Sequence, residues 1–181
     1  MKIATIGRGT IGGGLARLWR VAGHEVEEFG RDGGDASDAD VVLVAVPGAK
    51  ISPALSKVVG LEGKIAIDAT NILPERHGGF SSYAEEVKSF THAAVAKSFN
   101  MNFGGLFGVV SEQRVRPSNC YVADAGAREV TEQLIRDAGY DPVSVGDLSR
   151  ARDLEDAAAR LLMGVQPVGG VFYRFAVPGE L

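Results

Sequence analysis

Lys2-Ile3-Ala4-Thr5-Ile6-Gly7-Arg8-Gly9-Thr10-Ile11-Gly12 is the stretch that decides how this chain folds. Its apolar first half predicts a short strand, and the residues from Thr10 to Ala22 predict a helix. Between them, Gly7 allows a sharp turn, Gly9 lets another molecule approach the backbone, and Gly12 lets the helix lie close to the strand. This order predicts a site for the pyrophosphate of a dinucleotide; the alternative is an ordinary glycine turn without a ligand.

The predicted helix has an apolar face that suits packing on a sheet, formed by Ile11, Leu15, Leu18 and Ala22. Gly23 predicts the end of the helix, and Glu25 to Phe29 predicts a second strand, which completes a unit of the length that nucleotide-binding folds use. Gly13 and Gly14 extend the glycine run into the helix. We expect them either to keep the wall above the phosphates low or to let the helix pack tightly.

The second predicted strand ends in Phe29-Gly30-Arg31-Asp32, where a nucleotide-binding fold reads the adenosine ribose. An acidic side chain at this place binds the free 2′-hydroxyl of NAD, whereas an arginine binds the 2′-phosphate of NADP. Asp32 therefore argues for NAD. Arg31 lies closer to the strand end, so we predict NADP, with a surface Arg–Asp pair that binds no ligand as the alternative.

The composition is that of a globular domain, with 181 residues, a formal net charge of −4 and 45% hydrophobic residues. It has no basic cluster for nucleic acid, no apolar run of membrane-spanning length, and a first strand that leaves no room for a signal peptide. The single Cys120 excludes an internal disulfide and favours a buried thiol in a reducing cytoplasm. His24, His77 and His92 lack the spacing of metal ligands, so no metal is expected.

Alternating strands and helices predict an α/β fold with a doubly wound parallel sheet, a Rossmann-like architecture. Further strands are predicted at 41–46, 64–68, 93–97, 119–124 and 142–145, and further helices at 51–58, 80–90, 128–138 and 149–163. In the last helix, Leu154, Ala158, Leu161 and Leu162 form the predicted apolar stripe. Only residues 30–40 separate the second strand from the third, which is too few for a crossover helix. We therefore predict a loop there and a sheet face that lacks its usual cover.

Five later segments continue the pattern of the glycine turn and the Gly30-Arg31-Asp32 strand end. They are Val44-Ala45-Val46-Pro47, Asp68-Ala69-Thr70-Asn71, Val95-Ala96-Lys97-Ser98-Phe99-Asn100, Gly139-Tyr140-Asp141-Pro142-Val143 and the run from Gly146 to Glu155. In this order they resemble the NADPH:deazaflavin-coenzyme (F-420) oxidoreductase family, over about residues 2–160. The chain is shorter than the usual members and lacks most of the crossover between the second and third strands.

The resemblance implies NADP(H) bound along the carboxyl ends of the strands. It assigns the pyrophosphate to Gly9, Thr10, Ile11 and Gly12, and the 2′-phosphate to Gly30 with Arg31. It places Val46, Pro47, Ala69 and Asn71 along the ribose and the nicotinamide. A second, hydride-accepting cofactor, a deazaflavin or a flavin, is expected against the nicotinamide, bordered by Asn100 and the glycine-rich loop 101–118.

The sequence contains no convincing acid–base dyad or triad. Hydride transfer between two bound heterocycles mainly requires orientation and exclusion of water. Asn71 and Asn100 are the candidate catalytic residues, able to hydrogen-bond a carboxamide or ring carbonyl, or else their own loop backbone. Lys97 is a candidate general acid, although a lysine at a strand end more often contacts solvent. Asp68 is expected to cap a turn.

These observations favour an oxidoreductase that transfers hydride between NADP(H) and a deazaflavin or flavin-type acceptor. Two alternatives stay open. One is a reductase of a small imine or carbonyl substrate, although such enzymes usually add a large helical domain. The other is a sensor or regulatory subunit that binds NADPH without catalysis, which the absence of an acid–base group allows.

The end of the chain carries a cluster of large apolar side chains, among them Val171, Phe172 and Phe175. We expect a nucleotide-binding domain at 1–165 and an aromatic tail at 166–181. Such a cluster is rarely left in water. The tail is therefore predicted to form a homodimer by covering the open face of a second subunit, or else to pack on its own sheet.

Overall fold

A mainly parallel β-sheet forms the centre of the molecule. The computed structural model describes residues 1–71, 79–165 and 169–179. Its strands are β1 (Lys2–Ile6), β2 (Glu25–Phe29), β3 (Gly34–Asp35), β4 (Val41–Val44), β5 (Val58–Val59), β6 (Ile65–Asp68), β7 (Val95–Lys97), β8 (Ser118–Ala123) and β9 (Asp141–Gly146). One sheet has the order β2-β1-β4-β6-β7-β8-β9, and β3 pairs with β5. The predicted Rossmann-like α/β class is confirmed.

The sheet is parallel except where β7 meets β8. There Ala96 pairs with Ala123 and Lys97 with Val122 in an antiparallel register. A parallel pair needs a crossover back to the other edge of the sheet. The chain instead stays at the carboxyl edge as a 3₁₀-helical stretch, Gly104–Glu112, and β8 starts from that edge. The predicted parallel sheet therefore holds for every pair of the seven-stranded sheet except this one.

Helices cover both faces of the sheet. They are α1 (Thr10–Val21), α2 (Ile51–Leu55), α3 (Tyr83–Thr91), α4 (Arg128–Asp137), α5 (Ala151–Ala157) and α6 (Met163–Val165). Successive strand residues enter opposite cores, as the twofold repeat of a strand requires. Ala4 and Val42 pack with α2, α3 and α5, whereas Ile3 and Leu43 pack with α1 and α4. No helix within the described ranges is both long and apolar enough to cross a membrane.

Helix α1 buries a face that is rotated from the predicted one. Trp19 is fully buried, and its Nε1 donates a hydrogen bond of 2.9 Å to the carbonyl oxygen of Leu134 in α4. Ile11 and Leu18 are half-buried, and Ala22, which the pattern placed on the apolar face, is exposed. Burying an indole ring removes far more apolar area from water than burying a methyl group, so the tryptophan sets the face.

The connection between β2 and β4 is a loop, as predicted, and contains the two-residue strand β3. Its Gly34 pairs with Val58 in a parallel register. Helix α2 ends at Leu55, so the prediction of a helix through Val58 is wrong. A hollow of about 310 Å³ lies beside β1 and β2, lined by residues such as Ile3 and Glu25. This hollow corresponds to the predicted gap in the cover of the sheet.

The helical segment 148–162 does not keep a constant helical pitch. A 3₁₀ turn precedes α5, and a π-helical turn, Ala158–Leu162, follows it. Leu154, Ala158 and Leu162 are buried as predicted, but Leu161 is 60% exposed. A π turn adds a residue per turn and so rotates the positions that follow. The even helical spacing assumed for Leu161 does not hold there.

The described part of the tail, 169–179, packs on its own sheet rather than over the hollow. The Ser118 N–H donates to the Tyr173 carbonyl oxygen at 2.8 Å, and the Cys120 N–H donates to the Tyr173 hydroxyl at 3.0 Å. Burial raises the pKa of the Cys120 thiol, as expected for a thiol without a reactive role. Phe175 and Val177 remain 59% and 61% exposed. Residues 166–168 and 180–181 of the predicted tail lie outside the described residues.

Candidate nucleotide-binding site

Five neighbouring parallel strands, β2, β1, β4, β6 and β7, end at one edge of the sheet. Just beyond four of them a backbone hydrogen bond extends the ladder: Gly7 donates to Phe29 at 3.0 Å, Ala45 to Ile6 at 2.9 Å, Ala69 to Val44 at 2.9 Å and Ser98 to Asp68 at 3.0 Å. These bonds fix the loops that carry the predicted site residues in one row. Ligands of open α/β sheets bind at this edge, where the chain order reverses beside the first strand.

The three motif glycines serve different purposes. Gly7 has a φ of +109°, and a Cβ added to it would lie 2.3 Å from the carbonyl oxygen of Ala45. A Cβ on Gly12 would lie 1.8 Å from the carbonyl oxygen of Gly7. The protein's own packing therefore requires both of these glycines. A Cβ on Gly9 would meet no atom within 4 Å, so the space beside Gly9 is open.

The N-terminus of α1 opens into that space. Gly9 is its N-cap and supplies no side chain, and the first turn holds no acidic residue. The Gly13 N–H donates the first helical bond, to the Gly9 carbonyl oxygen at 2.8 Å. The N–H groups of Thr10, Ile11 and Gly12 precede that bond and have no acceptor inside the helix. They combine with the positive end of the helix dipole to favour an anion.

Two roles were expected for Gly14: to keep the wall above the phosphates low, or to let the helix pack tightly. The structure supports the second role. A Cβ added to it would lie 2.6 Å from the ring of Phe107, which is fully buried. The 3₁₀ stretch after Asn100 also covers the start of α1, since a Cβ on Gly104 would lie 2.7 Å from Ile11 Cδ1. Gly14 therefore serves tight packing, and Gly104, within the predicted loop 101–118, lies against the first residues of α1.

The turn after β2 exposes both side chains that were weighed for cofactor choice, Arg31 and Asp32. Within the described residues these two side chains form no ion pair with each other. The alternative of a surface Arg–Asp pair is therefore not what the structure contains. Sequence reasoning missed two further cations at this turn, Arg8 and Lys57. Arg8 was visible inside the quoted motif, whereas Lys57 arrives only through the β3–β5 pairing.

The middle of the row is largely apolar. Val46 is half-buried beside the glycine turn, since a Cβ on Gly7 would lie 3.2 Å from Val46 Cγ1. Pro47 is exposed, and Ala69 is buried one residue past β6. Val46 packs against the core that contains Ala4 and Val42, whereas Ala69 belongs to the core on the other face of the sheet.

Asn71 and Asn100 lie together at the far end of the row. Asn71 Nδ2 donates to the Asn100 carbonyl oxygen at 2.7 Å, and Asn100 Nδ2 donates to Asn71 Oδ1 at 3.2 Å and to the Leu154 carbonyl oxygen at 3.0 Å. Asn71 is exposed, whereas Asn100 is only 2% exposed. Within the described residues, Asn100 Oδ1 has no hydrogen-bond partner. The pair satisfies loop backbone, as one of the two expectations had it, and leaves the Asn71 side chain at the surface.

Lys97 lies beneath this pair and is completely buried, so the expectation of a solvent contact is wrong. Its Nζ contacts Asp68 Oδ2 at 2.7 Å, Glu155 Oε1 at 3.2 Å and the Thr70 carbonyl oxygen at 2.7 Å. Asp68 also accepts a bond of 2.8 Å from the Thr70 N–H and so caps the turn as predicted. The two carboxylates keep the ammonium in the core and join β6, β7 and α5. Sequence spacing gave no sign of Glu155 as a partner.

Metal ligands are not grouped in the described part of the chain, where no three His, Cys, Asp or Glu side chains are placed to share an ion. His24 Nε2 instead contacts Asp137 Oδ2 at 2.8 Å. His77 lies outside the described residues.

No protein-family model and no curated protein sequence matches this chain. Solved structures do match it. A provisionally named F420-dependent NADP-reductase from Arthrobacter sp. FB24 is 25% identical, with a TM-score of 0.80, and the match covers 98% of this chain and 99% of that one. A hypothetical protein, SMa0349, from Sinorhizobium meliloti is 24% identical, with a TM-score of 0.67 and coverage of 82% and 86%.

More distant matches share the fold alone. The reductive aminase from Aspergillus terreus, in complex with NADPH and ethyl levulinate, is 14% identical with a TM-score of 0.63. The match covers 93% of this chain but only 62% of the aminase. The resemblance predicted from the motifs is thus confirmed in structure: over nearly its whole length the chain has the fold of the protein named as an F420-dependent NADP-reductase.

Proposed function

We propose that the protein is an NADP(H)-dependent oxidoreductase. One matching structure is named as an F420-dependent NADP-reductase, and another is a reductive aminase in complex with NADPH. The observation that carries the proposal is the open space beside Gly9, at the uncapped N-terminus of α1. At the same edge of the sheet, the exposed Arg31 follows β2 on one side of β1 and the exposed Asn71 follows β6 on the other. An extended dinucleotide has phosphates, a ribose and a nicotinamide to fill these three places.

The proposed contacts follow the row of loops. The pyrophosphate binds the N–H groups from Gly9 to Gly12, with Thr10 and Ile11 between, and Gly7 shapes the turn. The 2′-phosphate binds at Gly30 and Arg31. The ribose and the nicotinamide lie along Val46, Pro47, Ala69 and Asn71. NADPH, when bound, supplies the hydride.

The chain's own contribution is to hold and orient the two reactants. The half-buried Val46 and the exposed Pro47 supply apolar surface beside the proposed nicotinamide position, which helps to exclude water there. The Asn71 amide is held by its bonds to Asn100, and in this proposal it binds the carboxamide. Lys97 is enclosed by Asp68 and Glu155, so it is not available to donate a proton to a substrate. A reaction that needs no protein acid fits this site best.

We further propose that the hydride acceptor is the deazaflavin coenzyme F-420 or a flavin. The name of the Arthrobacter protein supports this choice. The proposed second cofactor lies beside Asn71, bordered by Asn100 and the segment 101–118. A planar heterocycle carries its own reactive centre, which agrees with the absence of an acid–base pair among the described site residues.

The test has two stages. Calorimetry measures NADPH binding first, and saturable binding at micromolar concentrations is expected; no binding at millimolar NADPH would overturn the proposal. NADPH is then mixed with protein and oxidised F-420, riboflavin or FMN, and the absorbance of both partners is followed. NADPH binding with oxidation only by a small imine or carbonyl would indicate that class of reductase. Binding without turnover of any acceptor would indicate a sensor.

We also propose a homodimer formed through the tail that follows the 1–165 domain, and a cytoplasmic location, which suits the free and buried Cys120. The exposed side chains Leu161, Phe175 and Val177 support a contact between subunits. Sedimentation at micromolar concentration tests the dimer. A single species of 19.0 kDa would contradict it.

A further inference from the structure

Three basic side chains from separate parts of the sequence meet at the turn that ends β2. Arg31 belongs to the turn, Arg8 comes from the glycine loop, and Lys57 comes from the segment after α2. We propose that Arg8 and Lys57 act with Arg31 as specificity-determining residues, which bind the 2′-phosphate and exclude NAD. The inference rests on the proposed function, because it concerns the same cofactor.

Arg8 lies flat against the backbone of the turn. A Cβ added to Gly30 would lie 2.3 Å from Nη2, 2.8 Å from Cζ and 2.9 Å from Nε of Arg8. The Arg8 guanidinium therefore lies against Gly30, and a side chain at position 30 would displace it. This contact gives Gly30 a physical role that spacing alone did not explain. It also places a planar set of donors beside the end of β2, where the adenosine ribose is expected.

Lys57 reaches the same turn because the crossover after β2 is so short. The pairing of β3 with β5 brings the segment after α2 against Gly33, where an added Cβ would lie 1.9 Å from the Lys57 carbonyl oxygen. The Lys57 Nζ donates a bond of 2.8 Å to the Arg31 carbonyl oxygen. A crossover helix in place of this loop would separate Lys57 from Arg31. The second cation is thus a product of the topology.

The cluster has few anions to neutralise it. Within the described residues, neither Arg8, Arg31 nor Lys57 forms an ion pair. Glu28 near the end of β2 is paired with Arg20 at 2.6 Å. Asp32 is the acid within the turn itself.

A phosphate monoester carries between one and two negative charges at neutral pH and can take two parallel bonds from a guanidinium. The free 2′-hydroxyl of NAD offers neither the charge nor the second acceptor. Three cations at one exposed turn therefore favour the phosphorylated nucleotide. Because the cluster is exposed, its attraction is expected to weaken as salt is added.

The experiment measures dissociation constants for NADPH and NADH by calorimetry, with the wild type and the variants R8A, K57A and R31A. We expect R8A to weaken NADPH binding about tenfold or more and K57A about threefold, while NADH binding changes less than about twofold. The control is R17A, which removes an exposed arginine of α1 that is not one of the three proposed residues. Thermal unfolding confirms that each variant is folded, and R8K separates charge from the planar guanidinium.

If R8A and K57A weaken the binding of NADPH and of NADH by the same factor, the inference is overturned, because the two side chains would then only support the loop. Unchanged preference for NADPH in both variants would overturn it as well. Either result would leave the proposed function standing if the wild type binds NADPH. A wild type that binds neither nucleotide would instead remove the proposed function itself. Adenosine 2′,5′-bisphosphate and 5′-AMP repeat the comparison without the nicotinamide.

Discussion

Gly9 and Gly12 separate what a ligand requires from what the fold requires. A methyl group added at Gly9 would meet no protein atom within 4 Å, and the backbone φ of −77° at Gly9 suits alanine. A methyl group added at Gly12 would lie 1.8 Å from the carbonyl oxygen of Gly7. We expect G9A to unfold at the wild-type temperature yet to bind NADPH at least about tenfold more weakly, because the methyl occupies the pyrophosphate space. G12A is expected to lose both stability and binding. Unchanged NADPH affinity in a folded G9A would contradict the site.

Glu132 is a residue whose protonation affects stability. It accepts hydrogen bonds from the Tyr121 hydroxyl and from Arg136, and these bonds hold the pKa of its carboxyl below its ordinary value. The stability from this group is therefore present above the ordinary carboxyl pKa and is lost as pH falls through the lowered folded value. We expect E132Q to be less stable than wild type at pH 7, with a difference that shrinks on acidification. Urea unfolding from pH 7 to 3 measures it, and a pH-independent difference would refute it.

Single residues were predictable where the argument needed only local spacing. The structural roles of Gly7 and Gly12 were predictable because a turn and a close helix contact need glycine, and the position of Arg31 just past the end of β2 followed from its spacing. Lys57 was not found, since its place depends on pairing between two short strands far apart in sequence. Lys97 was misjudged for the same reason: its burial depends on a carboxylate from α5.

At the scale of elements, the buried Lys97 joins β6, β7 and α5. Replacing it by alanine leaves the Asp68 and Glu155 carboxylates in the core without their ammonium. We expect K97A to lower the free energy of unfolding by about 3–5 kcal/mol, and failure to fold is the extreme of the same result. The control R152A removes an exposed pair, Arg152–Asp156, and is expected to cost about 0.5 kcal/mol or less. Urea denaturation compares the two, and equal small losses would show that the network contributes little.

Elements with a clear period were predicted with their type correct, such as β1, α1 and α4, because each buries one regular face. The predictions failed where strand pairing in the folded protein or a change of helical pitch determines the structure. The antiparallel β8 follows from a segment that stays at one edge, and the π-helical turn displaces Leu161 without any local signal. The hydrophobic periodicity of the sequence cannot predict either feature, because it assumes a constant helical pitch and carries no information about which strands pair.

At the scale of the whole molecule, the tail packs against the first residues of β8 and covers them. Tyr173 contacts β8 at Cys120, whose thiol has its pKa raised by burial. Deleting residues 169–181 is expected to expose this thiol and to bring its pKa toward the ordinary value. Both changes increase the thiolate available at neutral pH, so labelling by a thiol reagent should accelerate more than about tenfold. Y173A is the milder companion variant, and labelling as slow as in wild type after the deletion would contradict this covering role.

The short loop after β2 has one more consequence for a molecule that grips an extended ligand. Segment 47–57 carries Pro47 at the proposed nicotinamide end and Lys57 at the proposed adenosine end, with the short helix α2 between them. A fold with a full crossover helix would assign these two tasks to independent segments. Here one segment carries both residues, so on the proposed function we expect the two ends of the nucleotide to be bound and released together.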